Sequence, residues 1–116
     1  MTDVNRLFVY GSLQPGAANA HKLDHLGGNW SAGAVNGRLL DRGWGARMGF
    51  PGLILGQHEG FVAGQVLSSD KLADAWPALD AFEGAEYERV LTEVRLVDDS
   101  RCEAYVYVLK NAQEPS

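Results

Sequence analysis

Glycine stands at the edge of almost every apolar run in this chain, in the junctions YGS, LGG, RGWG, GFPG, LGQHEG and FEG. Fourteen of the 116 residues are glycine, well above the ordinary share of about 7%. A backbone that turns this sharply and this often suits a closed or strongly bent sheet, which needs glycine at its corners. The runs between the junctions are short. RLFVYG (Arg6 to Gly11) is an apolar run ending in glycine and is predicted to be a buried strand. GAVNGRLLD (Gly33 to Asp41), PGLILG (Pro51 to Gly56) and GFVAGQVLS (Gly60 to Ser68) read as further strands, with Gly64 marking a bulge or a close backbone approach. YERVLTEVRLV alternates, placing Val90, Thr92, Val94 and Leu96 on one face and Arg89, Leu91, Glu93 and Arg95 on the other. CEAYVYVLK pairs with it across the DDSR turn as a hairpin.

Two segments have a helical period instead. ANAHKLDHLGG (Ala18 to Gly28) reads as a short helix closed by Gly27 or Gly28, and a second helix is capped by Ser69 or Asp70. Many strands that are neighbours in sequence, with two helices at separated points, predict a small α+β domain, with a barrel as one way of closing the sheet. At 116 residues the chain forms one domain with a real core. Its last residues, about 111–116, are expected to fray.

Charge and cysteine narrow the function classes. The formal net charge is −5 with scattered Lys and Arg, which disfavours nucleic acid and anionic membrane as partners. The single cysteine, Cys102, excludes an internal disulfide and a cysteine-based zinc cluster. No apolar run approaches the ~20 residues of a membrane span, and no signal peptide is legible, so a cytoplasmic location is expected.

The stretch AWPALDAFEG (Ala75 to Gly84) carries the anomaly. Trp76, Leu79 and Phe82 share one helical face, and Glu83 lies four residues after Leu79 on the same stripe. Glu83 also precedes Gly84, the predicted helix C-terminus, where an anion meets the negative end of the helix dipole. An acid that breaks two local rules marks a functional site, unless the helix frays at Phe82 and Glu83 swings into water. Pro77 implies either a kink or two short helices. In VYGSLQPG (Val9 to Gly16), a strand stopping at Gly-Ser exposes successive backbone N–H groups, either an anion-binding nest or an ordinary turn.

FVYGSLQPG, FPGLI, GQVLSSDKLADAWPALDAFEGAEYERV and AYVYV, in this order along nearly the whole chain, resemble the γ-glutamylcyclotransferase-like family, especially its γ-glutamylamine cyclotransferase and AIG2-like branch. The most specific parts are the Tyr-Gly-Ser-Leu loop and the string Leu79, Asp80, Glu83, Gly84, Tyr87 and Arg89. The resemblance implies a small mixed β-barrel with flanking short helices and a pocket at one end. It further implies that Tyr10, Gly11, Ser12 and Leu13 bind the γ-glutamyl group and that Glu83 is the acid/base, forming 5-oxoproline from a γ-glutamyl amide without cofactor or metal. Tyr87, Tyr105 and Tyr107 are candidate pocket-lining residues.

That chemistry suits a buried Glu. A solvated Glu has a pKa of ~4.3 and is a poor base, while burial against Trp76, Leu79 and Phe82 raises it. The alternative of another class is a non-catalytic module of the same fold that binds a small metabolite, with Glu83 as a polar anchor. His21 and His25 lie four apart on the first predicted helix, but His58 is distant in sequence and a solvated helix face is the favoured reading. GWGARMGFPG, around Trp44, is either a selectivity rim or a glycine-rich turn. The assembly is expected to be a monomer or a homodimer.

Overall fold

A computed structural model describes residues 4–11, 16, 21–24, 26–40, 52–56, 60–84 and 87–109. The elements run β1 (Arg6–Val9), α1 (His21–Asp24), β2 (Asn29–Leu40), β3 (Gly52–Leu55), β4 (Phe61–Ser68), α2 (Leu72–Glu83), β5 (Tyr87–Leu96) and β6 (Arg101–Leu109). Five strands, in the order β2-β4-β1-β6-β5, close into a barrel when β5 returns to β2 through Gly33↔Leu96 and Ala34↔Arg95. β3 pairs with the last four residues of β2, on the edge opposite β4. The pairing of β1 with β6 is parallel and the others are antiparallel, so the barrel is mixed.

The expected strands are all present, with shifted bounds. β2 starts at Asn29 rather than Gly33, because Asn29, Trp30 and Ser31 continue the ladder to Ser68, Leu67 and Val66 of β4. Asn29 and Ser31 are exposed, so backbone pairing, not an apolar pattern, extends the strand. Of the helix expected over Ala18 to Gly28, the turn His21–Asp24 is present as α1, and residues 17–20 and 25 lie outside the described residues.

Two cores explain why β1 and β6 read as unbroken apolar runs. Phe8, Val35, Leu53, Val66, Val94 and Val106 fill the barrel. Leu7, Val9, Tyr107 and Leu109 point the other way and pack with Leu23, Leu72 and Leu79 of the two helices. A strand buried on both faces has no polar side to show in its sequence. β5 follows the expected alternation: Val94 is fully buried, Val90 and Leu96 pack on the barrel core, and Leu91, Glu93 and Arg95 are exposed. Arg89 departs from it and is half-buried, because α2 covers the outer face of β5 where the strand begins.

Gly64 is a close approach: a Cβ there would overlap the Val9 carbonyl oxygen and the Phe8 ring. Gly64→Ala is expected to destabilise the domain by about 1–3 kcal/mol, since neither backbone nor a core ring can yield cheaply. Urea unfolding checks this, and an unchanged midpoint would show that β1 can move aside.

α2 is one continuous helix with Pro77 inside it, so the break into two short helices does not occur. The carbonyl that loses its partner to Pro77 belongs to Ala73, an exposed residue. Neither expected cap occupies the N-cap position, which is Lys71. Ser69 acts two residues earlier: its buried hydroxyl accepts a hydrogen bond from the Lys71 N–H (3.2 Å) and donates to the Leu26 carbonyl (3.0 Å). The helix ends at Gly84, as expected, with φ 86°, and the Gly84 N–H bonds the Asp80 carbonyl at 3.1 Å. That positive-φ conformation is one glycine adopts without a side-chain penalty.

Candidate active site

The strand directions gather one set of residues at a single end of the barrel. β1 and β6 run parallel and both finish there, and β5 starts there because Tyr87 pairs with Leu109. β3 starts beside them, since Gly52 abuts the Leu109 side chain. α2 completes the group: its last residue, Glu83, stands close enough to Tyr10 and Tyr107 for its charge to raise both phenol pKa values.

The acid is shielded as its stripe implies. Leu79 is buried, and Trp76 and Phe82 are half-buried against the outer core. Glu83 is itself half-buried. Loss of hydration there pushes its carboxyl up to about 7 from an ordinary 4.5. The helix C-terminus acts in the same direction. The outward swing into water does not occur.

Three residues earlier, Asp80 has the opposite character. Burial alone would raise its pKa, but hydrogen bonds from Arg89 and Tyr107 outweigh this and hold it below the ordinary carboxylate value. Arg89 donates from Nε to Oδ1 (3.0 Å) and from a terminal nitrogen to Oδ2 (3.3 Å), and the Tyr107 hydroxyl donates to Oδ1 at 2.6 Å. Two carboxylates one turn apart thus divide the roles: Asp80 is a fixed anion, and Glu83 exchanges a proton near neutrality.

Tyr10 caps the exit of β1. Its hydroxyl donates to the Tyr107 carbonyl (2.8 Å) and accepts from the Leu53 N–H (3.1 Å). Burial chiefly, and the nearby Glu83 charge, raise its pKa, so it stays a neutral hydrogen-bonding group. Gly11 follows directly, placing the start of the Tyr-Gly-Ser-Leu segment at the barrel end that holds Glu83. Ser12 and Leu13 lie outside the described residues, as do His25, His58 and residues 41–51 around Trp44.

The three candidate lining tyrosines separate. Tyr87 is buried at the start of β5, with an electrostatic influence on Tyr10. Tyr107 joins Asp80 to Tyr10. Tyr105 instead packs edge-on against Trp76, with ring centroids 5.2 Å apart, on the outer face under α2. The Asp80–Arg89 pairing gives Asp80 and Arg89 a role that the chain's periodicity did not. The available signal was an acid and a base nine residues apart, astride the helix-ending glycine. A cleft bounded by Asn5, Gly28, Ser68 and Lys71 lies at the other end of the barrel and shares no residue with this group.

Among the described residues no group of three His, Cys, Asp or Glu side chains could hold a metal ion. Among them, too, no helix is long and apolar enough to cross a membrane.

Comparison with known proteins agrees with the fold. The family model described as gamma-glutamyl cyclotransferase, AIG2-like, matches residues 7–116. Among solved structures, YkqA from Bacillus subtilis is 25% identical with a TM-score of 0.71; 90% of this chain aligns, and it spans only 35% of YkqA. An AIG2-like protein from Mus musculus is 24% identical with a TM-score of 0.73, the match covering 98% of this chain and 82% of the mouse protein. A protein from Arabidopsis thaliana is 26% identical over 99% of this chain and 67% of its own, with a TM-score of 0.71. No curated protein matches the sequence.

Proposed function

Because the chain belongs to the gamma-glutamyl cyclotransferase, AIG2-like family, we propose that it converts a γ-glutamyl amide into 5-oxoproline and a free amine or amino acid, with Glu83 as acid/base. The observation that carries this reading is the half-buried position of Glu83 at the barrel end where β1 exits through Tyr10 and Gly11, where loss of hydration pushes its carboxyl up to about 7.

The substrate's α-amine is the nucleophile. Ionised Glu83 takes a proton from it as the nitrogen attacks the γ-carbonyl carbon, closing the five-membered ring. The γ-carbon–nitrogen bond then breaks, and the protonated Glu83 returns its proton to the departing amine. The carboxyl is regenerated, no net proton is consumed and no cofactor is needed. A group whose pKa lies near working pH holds both forms in comparable amounts, which serves a residue that must be base and then acid. Amides of Gly11, Ser12 and Leu13 hold the γ-glutamyl group or stabilise the developing oxyanion. Because the reaction is intramolecular, fixing the chain in its folded form lowers the barrier through orientation.

The test is incubation with a panel of γ-glutamyl amides, including γ-glutamyl amino acids, glutathione and γ-glutamyl-ε-lysine, followed by mass spectrometry of products. The proposal expects 5-oxoproline from at least one. Free glutamate would indicate hydrolysis, and no product from any would favour a non-catalytic binding module.

The pH dependence follows from the same carboxyl. The base form exists above its pKa, so kcat/KM is expected to climb with pH through about 7 and then level. A solvent-facing Glu would place that limb near ~4.3. Changing the basicity of the substrate's α-amine moves the substrate's own limb and leaves this one in place.

A further inference from the structure

Glu83 sits in the last turn of α2, where helices fray because their final carbonyls lack helical partners. A base carried there must be held by something other than the helix. The surrounding bonds form one continuous connection. Arg89 (β5) binds Asp80 (α2) through two nitrogens, and the Tyr107 hydroxyl (β6) binds the same carboxylate. The Tyr107 backbone carbonyl accepts from Tyr10, whose oxygen accepts from Leu53 of β3. Arg89 is itself immobilised, its guanidinium lying 4.4 Å from the Trp76 ring centroid and 4.9 Å from that of Tyr105. Trp76 and Asp80 are four apart on α2 and so share a face. The helix is therefore gripped at two points on its last two turns.

We propose that Asp80 and Tyr107 are positioning residues: together they clamp the end of α2 to the exit of β1 and so hold the Glu83 carboxyl at the barrel end beside Tyr10. This rests on the reading of Glu83 as the acid/base. Tyr107 is the pivot, since its hydroxyl grips the helix while its carbonyl grips Tyr10. Asp80 is three residues from Glu83 on the same helix, so fixing Asp80 fixes the turn of backbone that carries Glu83. The full ionisation of Asp80 serves this use, because a carboxylate accepting from a guanidinium and a phenol binds both more strongly than a neutral acid does. Two further side chains face Glu83 electrostatically, the phenols of Tyr10 on β1 and Tyr107 on β6, and both remain neutral.

Tyr107→Phe removes one hydroxyl and keeps the ring in the outer core and the carbonyl bonded to Tyr10. Asp80→Asn weakens the grip on Arg89. Displacement of a catalytic group by about 1 Å can cost ~10²-fold, so kcat is expected to fall roughly 10–100-fold in each variant, with KM changed by less than about 3-fold because the hydrogen bonds altered join protein groups to each other. The second readout needs no turnover. With selectively ¹³C-labelled Glu, the Glu83 titration midpoint is expected to move down from about 7 as water reaches the loosened helix end. An unmoved midpoint in both folded variants would overturn the clamp, as would a higher KM at unchanged kcat. If the unmodified protein forms no 5-oxoproline, the acid/base reading fails and the midpoint comparison alone decides the clamp.

Discussion

Glu83→Gln is expected to lower 5-oxoproline release by about 10²–10⁴-fold, the usual worth of a positioned acid/base, while a γ-glutamyl ligand still binds. The amide keeps the shape of the side chain but can neither take a proton from the α-amine nor deliver one to the leaving group. The same substitution affects stability in the opposite direction. In the folded protein the Glu83 carboxyl stays protonated up to about 7, against 4.5 for an ordinary Glu. Between these values the folded state binds more protons than the unfolded one, so this group's contribution to stability falls as pH rises. The loss is complete above the folded value and amounts to up to about 3 kcal/mol. Relative to the unmodified protein, the Gln variant should therefore gain stability progressively from pH 4.5 to pH 7 and hold that gain at pH 8. Urea unfolding at these pH values, with isothermal titration of a γ-glutamyl ligand, separates the effects. A loss of activity with a parallel loss of ligand binding would make Glu83 an anchor, as in a binding module.

Phe8→Ala is expected to destabilise the domain by about 3–5 kcal/mol, a large share of a typical total of about 5–15 kcal/mol. Phe8 is 1% exposed at the middle of β1, opposite Val66 of β4 and Val106 of β6. Its ring lies under Gly64 and 6.5 Å from that of Tyr10, so its loss opens a cavity where small residues have been fitted around it. Because β1 leads directly to Tyr10 and Gly11, the site should loosen with the core, and activity should fall even in the fraction that folds. Leu91→Ala is the control. Leu91 is 42% exposed on β5, and its truncation should change stability by no more than about 0.5 kcal/mol. Equal effects of the two substitutions would contradict the placement of Phe8 inside the barrel.

What the chain revealed by itself follows the strength of each local signal. The strands were legible because glycine punctuates them and because β1 and β6 are apolar on both faces. The end of α2 was legible because Gly84 follows the apolar stripe, and Glu83 stood out against that stripe. The extra four residues of β2 were not, since Asn29 and Ser31 face water and join the sheet through backbone pairing alone. Continuity of α2 through Pro77 was likewise beyond local rules, which permit a kink or a break and do not know that packing on the outer core holds the helix together. Barrel closure depends on Gly33 and Ala34 meeting Leu96 and Arg95 across more than sixty residues of chain. Most of all, the Asp80, Arg89 and Tyr107 arrangement needs three elements brought together, and no periodicity encodes it. The family resemblance placed Asp80 and Arg89 in the characteristic string, and the geometry supplies a physical reason for their presence there.

The most direct test is the titration of one carboxyl. With ¹³C-labelled Glu and the Glu83→Gln variant to assign the resonance, the Glu83 side-chain carbon in the ligand-free protein should titrate with a midpoint near 7. A midpoint near the ordinary 4.5 would mean that the carboxyl is solvated, and the proposed ring closure would then lack its base at neutral pH.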